Sequence, residues 1–277
     1  ILSESDKKNR FNISLDNAEE FYNEHKEKGY SFHPIGSVQG WDIESYASCA
    51  HDLIDIGYNY IGIGGVARKT SESILDIVYA IKRVIPKDVK IHVFGISRLS
   101  ILKDFMEIGI ESIDSASHLR TAWARSRFNY MTIEGISYTA IRVPFCDTEE
   151  AIQNKINAGI IGLREAKEAE QNALSYLRLY EQGKAKINET LDAIIIYDRI
   201  FDETRDFEAE YKRTLEDRPW ERCSCDICRE IGIEVVIFRG NNRNRRRGFH
   251  NTWVFYQMLK ELERNISKRT LIGIGGT

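Results

Sequence analysis

Cys223, Cys225 and Cys228 stand at C-x-C-x2-C spacing in the segment Arg218 to Cys228, and this spacing constrains the chain more than any other feature. Three thiolates this close on one loop can reach a single tetrahedral ion. The fourth ligand must come from elsewhere, and His250 follows at the start of a helix-like run. Three sulfurs and one imidazole form a closed site that suits Zn2+ in a structural role. Three unrelated buried thiols would not need ligand spacing, and disulfides between such near neighbours would be strained. Between the ligands a short apolar strand, Val235 to Phe238, leads into Arg239, Arg243, Arg245, Arg246 and Arg247. This stretch reads as a basic loop pinned by the ion.

The chain has 277 residues, 42% hydrophobic, with a net charge of −3. That is enough for one large domain with a real core or two modest ones. The arginine cluster is therefore a local feature, of the kind a polyanion meets first. No apolar run approaches the ~20 residues that cross a bilayer. With no leader pattern and Cys49 and Cys146 lying apart in apolar settings, the expectation is a reduced, cytoplasmic protein with no membrane partner. Ile1 in place of Met, and the unstructured look of Ile272 to Thr277, make both ends read as cut.

Along the first half, short apolar strands alternate with helices ended by Gly or Pro. Residues 1–12 read as frayed, and Asp16-x-x-Glu19 as a capping box opening a helix to Lys28. Strands follow at 31–38, 58–63, 90–94 and 110–113, and helices at 42–56, 71–84 and 99–108. This alternation predicts an α/β fold with a parallel sheet. Four units are half of a (β/α)8 TIM barrel, with a doubly wound sheet as the competing fold. The strand ends, where a barrel carries its working residues, hold Gln39, Gly64-Gly65, Gly95 and Asp114. After residue 130 the pattern changes. A hairpin is expected over 131–143, then two long helices near 149–182 and 188–216 forming an inserted helical hairpin, and a last helix over 251–264 that packs Trp253, Phe255, Tyr256 and Leu259. The expected divisions are a partial barrel (1–130), the hairpin and helical insertion (131–217), and a zinc-binding subdomain with its closing helix (218–277).

The order of the motifs carries a resemblance. Ile35-Gly-Ser-Val-Gln-Gly40 is followed by Tyr60-Ile-Gly-Ile-Gly-Gly-Val-Ala67, then Gly109-Ile-Glu-Ser-Ile-Asp114, then the cysteines and a histidine. This resembles the tRNA-guanine transglycosylase family, over Gly36 to Asp114 and again over Cys223 to Gln257. The family exchanges a guanine in nucleic acid for a 7-deazaguanine base. The resemblance implies that Asp114 is the nucleophile, a carboxylate that stabilises and traps the oxocarbenium-like sugar. It implies that Gln39 reads the purine edge with a donor and an acceptor, and that the backbone of Gly64, Gly65 and Val66 approaches the base. His92 and His118 lie near strand ends and read as structural.

Two departures from the family pattern matter. Its early Asp-Ser-Gly-Gly-Phe stretch is absent, so the chain reads as beginning halfway through the barrel. The segment after the nucleophile is Ser115-Ala-Ser-His-Leu-Arg-Thr-Ala-Trp123 where the tRNA enzymes have Cys-x-x-Pro-Thr-Arg. That is closer to the DNA-modifying branch. The resemblance thus implies DNA or tRNA as polymer, DNA favoured, and a base such as 7-cyano-7-deazaguanine. A DNA-opening helper or a second copy of the chain is the expected further partner. The five arginines are expected to contact phosphates. The rival class is a non-catalytic, zinc-containing nucleic-acid-binding subunit.

Overall fold

The computed structural model describes the backbone of residues 3–274 and the side chains of residues 3–266. The readings made of residues 1, 2 and 275–277 lie outside the described residues. The chain divides into two compact units, 1–117 and 118–277.

The first unit opens with α1 (Glu4–Lys28), which differs from the frayed start expected before Asp16. No glycine or proline interrupts residues 4–28, so helical phase runs unbroken. Ser3 caps it by accepting from the Asp6 amide at 3.1 Å, and Asp16 sits mid-helix. None of its residues is buried, and Tyr22 against Tyr58 at 4.8 Å helps to tie it to the rest of the unit.

Four parallel strands come next: β1 (Gly36–Val38), β2 (Tyr60–Ile63), β3 (Lys90–Val93) and β4 (Ser112–Ile113). They alternate with α2 (Ile43–Ile56), α3 (Ser71–Val84) and α4 (Leu99–Ile108). The expected helices stand, and the strands are shorter than expected, β1 most of all because Pro34 keeps the preceding residues out of the ladder. The strand order is β1-β2-β3-β4, each strand beside its successor. A doubly wound sheet would reverse direction at a switch point, and these four strands do not.

Side chains sort by strand period. Val38, Ile61, Ile63, Ile91 and Val93 are fully buried, as are Leu53, Ile74, Val78 and Ile101 of the helices. Each such burial contributes about 1.5–3 kcal/mol. Alternate positions carry Ser37, Tyr60, Gly62, His92 and Ser112, a set too polar and small for a second core. One face of the sheet is therefore committed to packing and the other is left for chemistry.

The second unit begins with α5, which starts at Ser117 and ends at Ala124. The expected hairpin is present as antiparallel β5 (Tyr130–Met131) and β6 (Ser137–Tyr138). A pairing not expected from the sequence follows: β7 (Ile141–Arg142), inside the expected hairpin, pairs in parallel with β8 (Ile237–Phe238), the end of the expected strand 235–238. The two long helices expected are four: α6 (Glu150–Asn157), α7 (Leu163–Glu181), α8 (Ile187–Phe201) and α9 (Glu208–Asp217). Gly159 and Gly162 interrupt the first, and Asp202, which accepts from the amide and hydroxyl of Thr204, turns the chain out of the second. Short α10 (Pro219–Arg222) and α11 (Asp226–Ile231) flank the cysteines, and a 3-10 turn over Gly232–Val236 occupies the first half of the strand expected over 235–238.

The last helix, α12 (Gly240–Ile274), begins eleven residues before the expected start. The arginine stretch is therefore helical and not a loop, in keeping with arginine's good helix propensity. Asn244, Arg247, His250, Asn251 and Val254 lie three or four residues apart and are all buried, which defines its inner face. Tyr256, expected in the core, is 52% exposed because it lies off that stripe. Residues 131–217 and 218–266 contribute to one apolar cluster, in which Leu177, Ile194, Tyr211, Cys228 and Ile233 meet.

Candidate active site and metal centre

Because the four strands are parallel, their C-terminal ends share one edge of the sheet. That edge brings Gln39, Gly64, Gly95 and Asp114 together in the first unit. Asp114 leaves β4 with its side chain 61% exposed. Its Oδ1 accepts from the Gly95 amide at 2.8 Å, and His92 Nε2 lies 3.3 Å from the same oxygen. Gly95 has φ +74°, a left-handed conformation that lets the turn present its N–H to the carboxylate.

His92 is the residue the sequence reading undervalued. It stands opposite Ser112 in the ladder, so its ring lies on the same face as Asp114, two residues further along β4. The only sequence signal was its position two residues before the strand end, and that needs the register of β3 against β4 to mean anything.

Gln39 is half-buried, with its amide Nε2 on Ser37 Oγ at 3.2 Å. Gly64 is buried beneath that amide, and a Cβ on Gly64 would collide with it. Tyr46 donates to the Gly64 carbonyl at 2.9 Å and so fixes the turn from below. Gly65 is exposed with φ +71°, while Val66 turns its side chain into the core and leaves only its backbone to the turn. An open cleft of about 540 Å³ next to Gln39 is lined by Gly40, Trp41 and, from α1, Lys7, Arg10 and Phe11.

The metal centre lies in the second unit. The ligand atoms of Cys223, Cys225, Cys228 and His250 all fall within 4.8 Å of one another. His250 Nδ1 is 3.6, 3.4 and 3.4 Å from the three sulfurs. Zinc–sulfur and zinc–nitrogen bonds of about 2.3 and 2.0 Å at tetrahedral angles require about 3.5 Å between S and N. His250 Nε2 donates to the Met131 carbonyl at 2.8 Å, which leaves the Nδ1 lone pair facing the sulfurs. Tyr130 stacks on the imidazole at 4.1 Å and reaches Cys228 Sγ with its hydroxyl at 3.3 Å. Hydrogen bonds from Cys223 and Cys228 hold Cys225 well below the usual thiol value. Three sulfurs and one imidazole gathered within 4.8 Å are a donor set that fits zinc.

The arginines divide. Arg239 pairs with Glu170 at 2.6 Å and donates to the Val143 carbonyl at 3.0 Å, lying 3.7 Å over the Phe145 ring. Arg247 is fully buried and donates to the carbonyls of Ala122, Val235 and Ile237. Arg243 pairs with Glu234 at 2.6 Å. These three are occupied in holding the unit together, against the expectation that all five meet phosphate. Arg245 and Arg246 alone of the five are exposed. His118 stacks on Phe255 at 4.0 Å.

Among the described residues no helix is long and apolar enough to cross a membrane. A protein named DNA-guanine transglycosylase, from Salmonella montevideo, is 39% identical over 254 residues, which is 91% of this chain and 61% of that relative. The chain thus spans about three fifths of the relative's length. A family profile described as queuine tRNA-ribosyltransferase matches residues 2–273. A match of that extent covers both the strand-end carboxylate and the Cys3His centre, and the chain belongs to the queuine tRNA-ribosyltransferase family.

Proposed function

We propose that the whole protein exchanges a guanine in nucleic acid for a 7-deazaguanine base through a covalent intermediate on Asp114. The observation that carries this reading is the setting of that carboxylate. It is exposed at the end of β4, braced on one oxygen by the Gly95 amide, and shares its sheet edge with Gln39 and the Gly64-Gly65 turn. A carboxylate so held suits attack on a sugar carbon whose positive charge develops as the base departs. Gln39 supplies the donor and acceptor that a guanine-like edge requires, and the bare backbone at Gly64 and Gly65 leaves room for a flat base.

The successive strand order and the polar second face of the sheet support reading the first unit as the C-terminal half of a (β/α)8 barrel. The Cys3His centre is read as structural zinc, held by Cys223, Cys225, Cys228 and His250, with no ligand position left for a substrate. Of the arginines, Arg245 and Arg246 are the candidates for phosphate contact. DNA is favoured as the polymer, on the departure after Asp114 and on the name of the Salmonella relative. The incoming base is a 7-deazaguanine such as 7-cyano-7-deazaguanine, and a base inside a duplex must be flipped or met in single-stranded DNA. A non-catalytic binding subunit would have no use for a braced and exposed carboxylate.

The test is Asp114→Asn in the full-length protein. Exchange of labelled guanine and the adduct on denaturing gels should both vanish, with polymer affinity within about twofold of the parent. An adduct that persists would assign the nucleophile to another residue. Nucleoside analysis of DNA and tRNA from expressing cells separates the polymers. A 7-deazaguanine nucleoside in tRNA alone would overturn the DNA assignment and leave the exchange standing.

A further inference from the structure

Four side chains on the polar face of the sheet form one hydrogen-bonded chain that ends on Asp114. Tyr60 Oη lies 2.5 Å from Ser112 Oγ, which lies 2.7 Å from His92 Nδ1. His92 Nε2 lies 3.3 Å from Asp114 Oδ1. The ionised carboxylate can only accept, so Nε2 carries a proton. On a neutral ring Nδ1 then accepts, Ser112 donates to it, and Ser112 accepts in turn from Tyr60. The side chain is 11% exposed and Phe94 packs edge-on against the ring at 4.3 Å, so it has little freedom to turn. Asp114 by contrast is largely exposed and would rotate freely without a brace. Both hydrogen bonds it receives fall on Oδ1, and among the described residues Oδ2 accepts none.

We propose that His92, locked by Ser112 and Tyr60, is a positioning residue that makes the two Asp114 oxygens inequivalent, so that Oδ2 attacks and Oδ1 collects charge as the intermediate breaks down. The inference rests on Asp114 being the nucleophile. In the first step Oδ2 bonds to the sugar C1′ as the C1′–N9 bond breaks. That electron pair leaves with guanine, which takes up a proton. In the second step the incoming base, having given up its own N9 proton, bonds to C1′, and the C1′–Oδ2 pair returns to the carboxylate. One proton is taken and one released. During that return negative charge spreads onto Oδ1, where the Gly95 N–H and His92 Nε2–H already stand. Preplaced donors of this kind stabilise developing charge without reorganising. A Ser–His–Asp hydrolytic triad is the other way to connect these three residue types. It needs an open serine, and Tyr60 engages the Ser112 oxygen here.

The test reads release separately from formation, in the full-length protein. The adduct is formed on a guanine-containing DNA, with tRNA as a parallel arm, then chased with free guanine. His92→Phe should slow the chase about ten- to a hundredfold, the worth of a hydrogen bond to a charged group. The KM for the polymer should stay within about twofold. His92→Gln, whose amide can reach the Nε2 position, should restore most of the rate. Ser112→Ala should slow the chase less, and not at all in the His92→Phe background. A variant that merely misfolds yields less adduct, but what forms is chased at the parental rate. A parental chase rate in His92→Phe, or a His92→Gln variant as slow as His92→Phe, would overturn the proposal. Loss of the adduct in Asp114→Asn tests the nucleophile independently, and an adduct mapped to Ser112 would sink both readings.

Discussion

The side-chain amide of Gln39 lies against the Cα of Gly64, so close that even a methyl group there would strike it. What a side chain at Gly64 meets is the movable end of Gln39, just past β1, and not a strained backbone of its own. Gly64→Ala should therefore displace Gln39 while the buried core beneath it, Ile61 and Ile63, stays packed. The expected outcome is an increase of about tenfold or more in the KM for the incoming base, since a site built to hydrogen-bond a ligand loses most when its polar group is misplaced. Thermal stability should change by less than about 1 kcal/mol. Steady-state kinetics with free guanine and a melting curve check both parts. An unchanged KM would mean that Gln39 does not read the base.

One zinc per chain is expected, and Cys223→Ser should lose it. Cys228 and Tyr130 belong to the same apolar cluster as Leu177 and Tyr211. Loss of the ion should therefore loosen more than the cysteine loop, and chelation should lower the melting temperature of the parent. Elemental analysis and a melt with and without chelator measure this. Full zinc content in the serine variant would show that the ligand set is wrong.

Arg245 and Arg246 should affect affinity and leave the fold alone. Replacing both with alanine removes two exposed charges. The slope of log affinity against log salt should fall by about 0.9 for each phosphate on duplex DNA that these charges neutralise. Arg247→Met should behave in the opposite way. It removes the buried donor to the carbonyls of Ala122, Val235 and Ile237, and each of them left without a partner costs about 1–3 kcal/mol. Binding titrations at several salt concentrations and urea melts separate the two classes. A salt slope unmoved by the double alanine variant would remove these residues from the interface.

Glu170 sets part of the acid stability. Burial pushes its carboxyl up, but the Cys146 amide at 2.6 Å and Arg239 at 2.6 Å outweigh it, and the net shift is downward. A carboxylate depressed in the folded state contributes stability that is complete above its unfolded value, about 4.3, and is lost as pH falls through the lower folded value. Glu170→Gln leaves the Arg239 charge buried without a counter-charge and should cost about 3–5 kcal/mol at neutral pH. The gap between parent and variant should narrow as pH falls through the depressed folded value. Urea melts followed downward from about pH 7 trace the difference, and a gap that does not narrow with acid would rule the pair out as its source.

Local chemistry made much of this protein legible. The alternation of apolar strands with helices stopped by Gly or Pro defined the four βα units, because those stop signals act within a turn of the chain. The C-x-C-x2-C spacing named three ligands, since their reach depends only on a short loop. His250 completed the set as the one imidazole nearby in sequence. What the sequence could not decide depended on which segments pack together. The arginine stretch looked like a solvated loop, yet one face of it is buried. Arg247 lies inside, where it donates to the carbonyls of Val235 and Ile237 and, 125 residues away in sequence, of Ala122. Glu170 and Arg239 are 69 residues apart and pair only after α7 docks. His92 meets Asp114 only because β3 and β4 pair in a register that sets His92 opposite Ser112. Spacing along the chain carries ligand sets and helix ends, and only the tertiary fold brings together partners from different strands and helices.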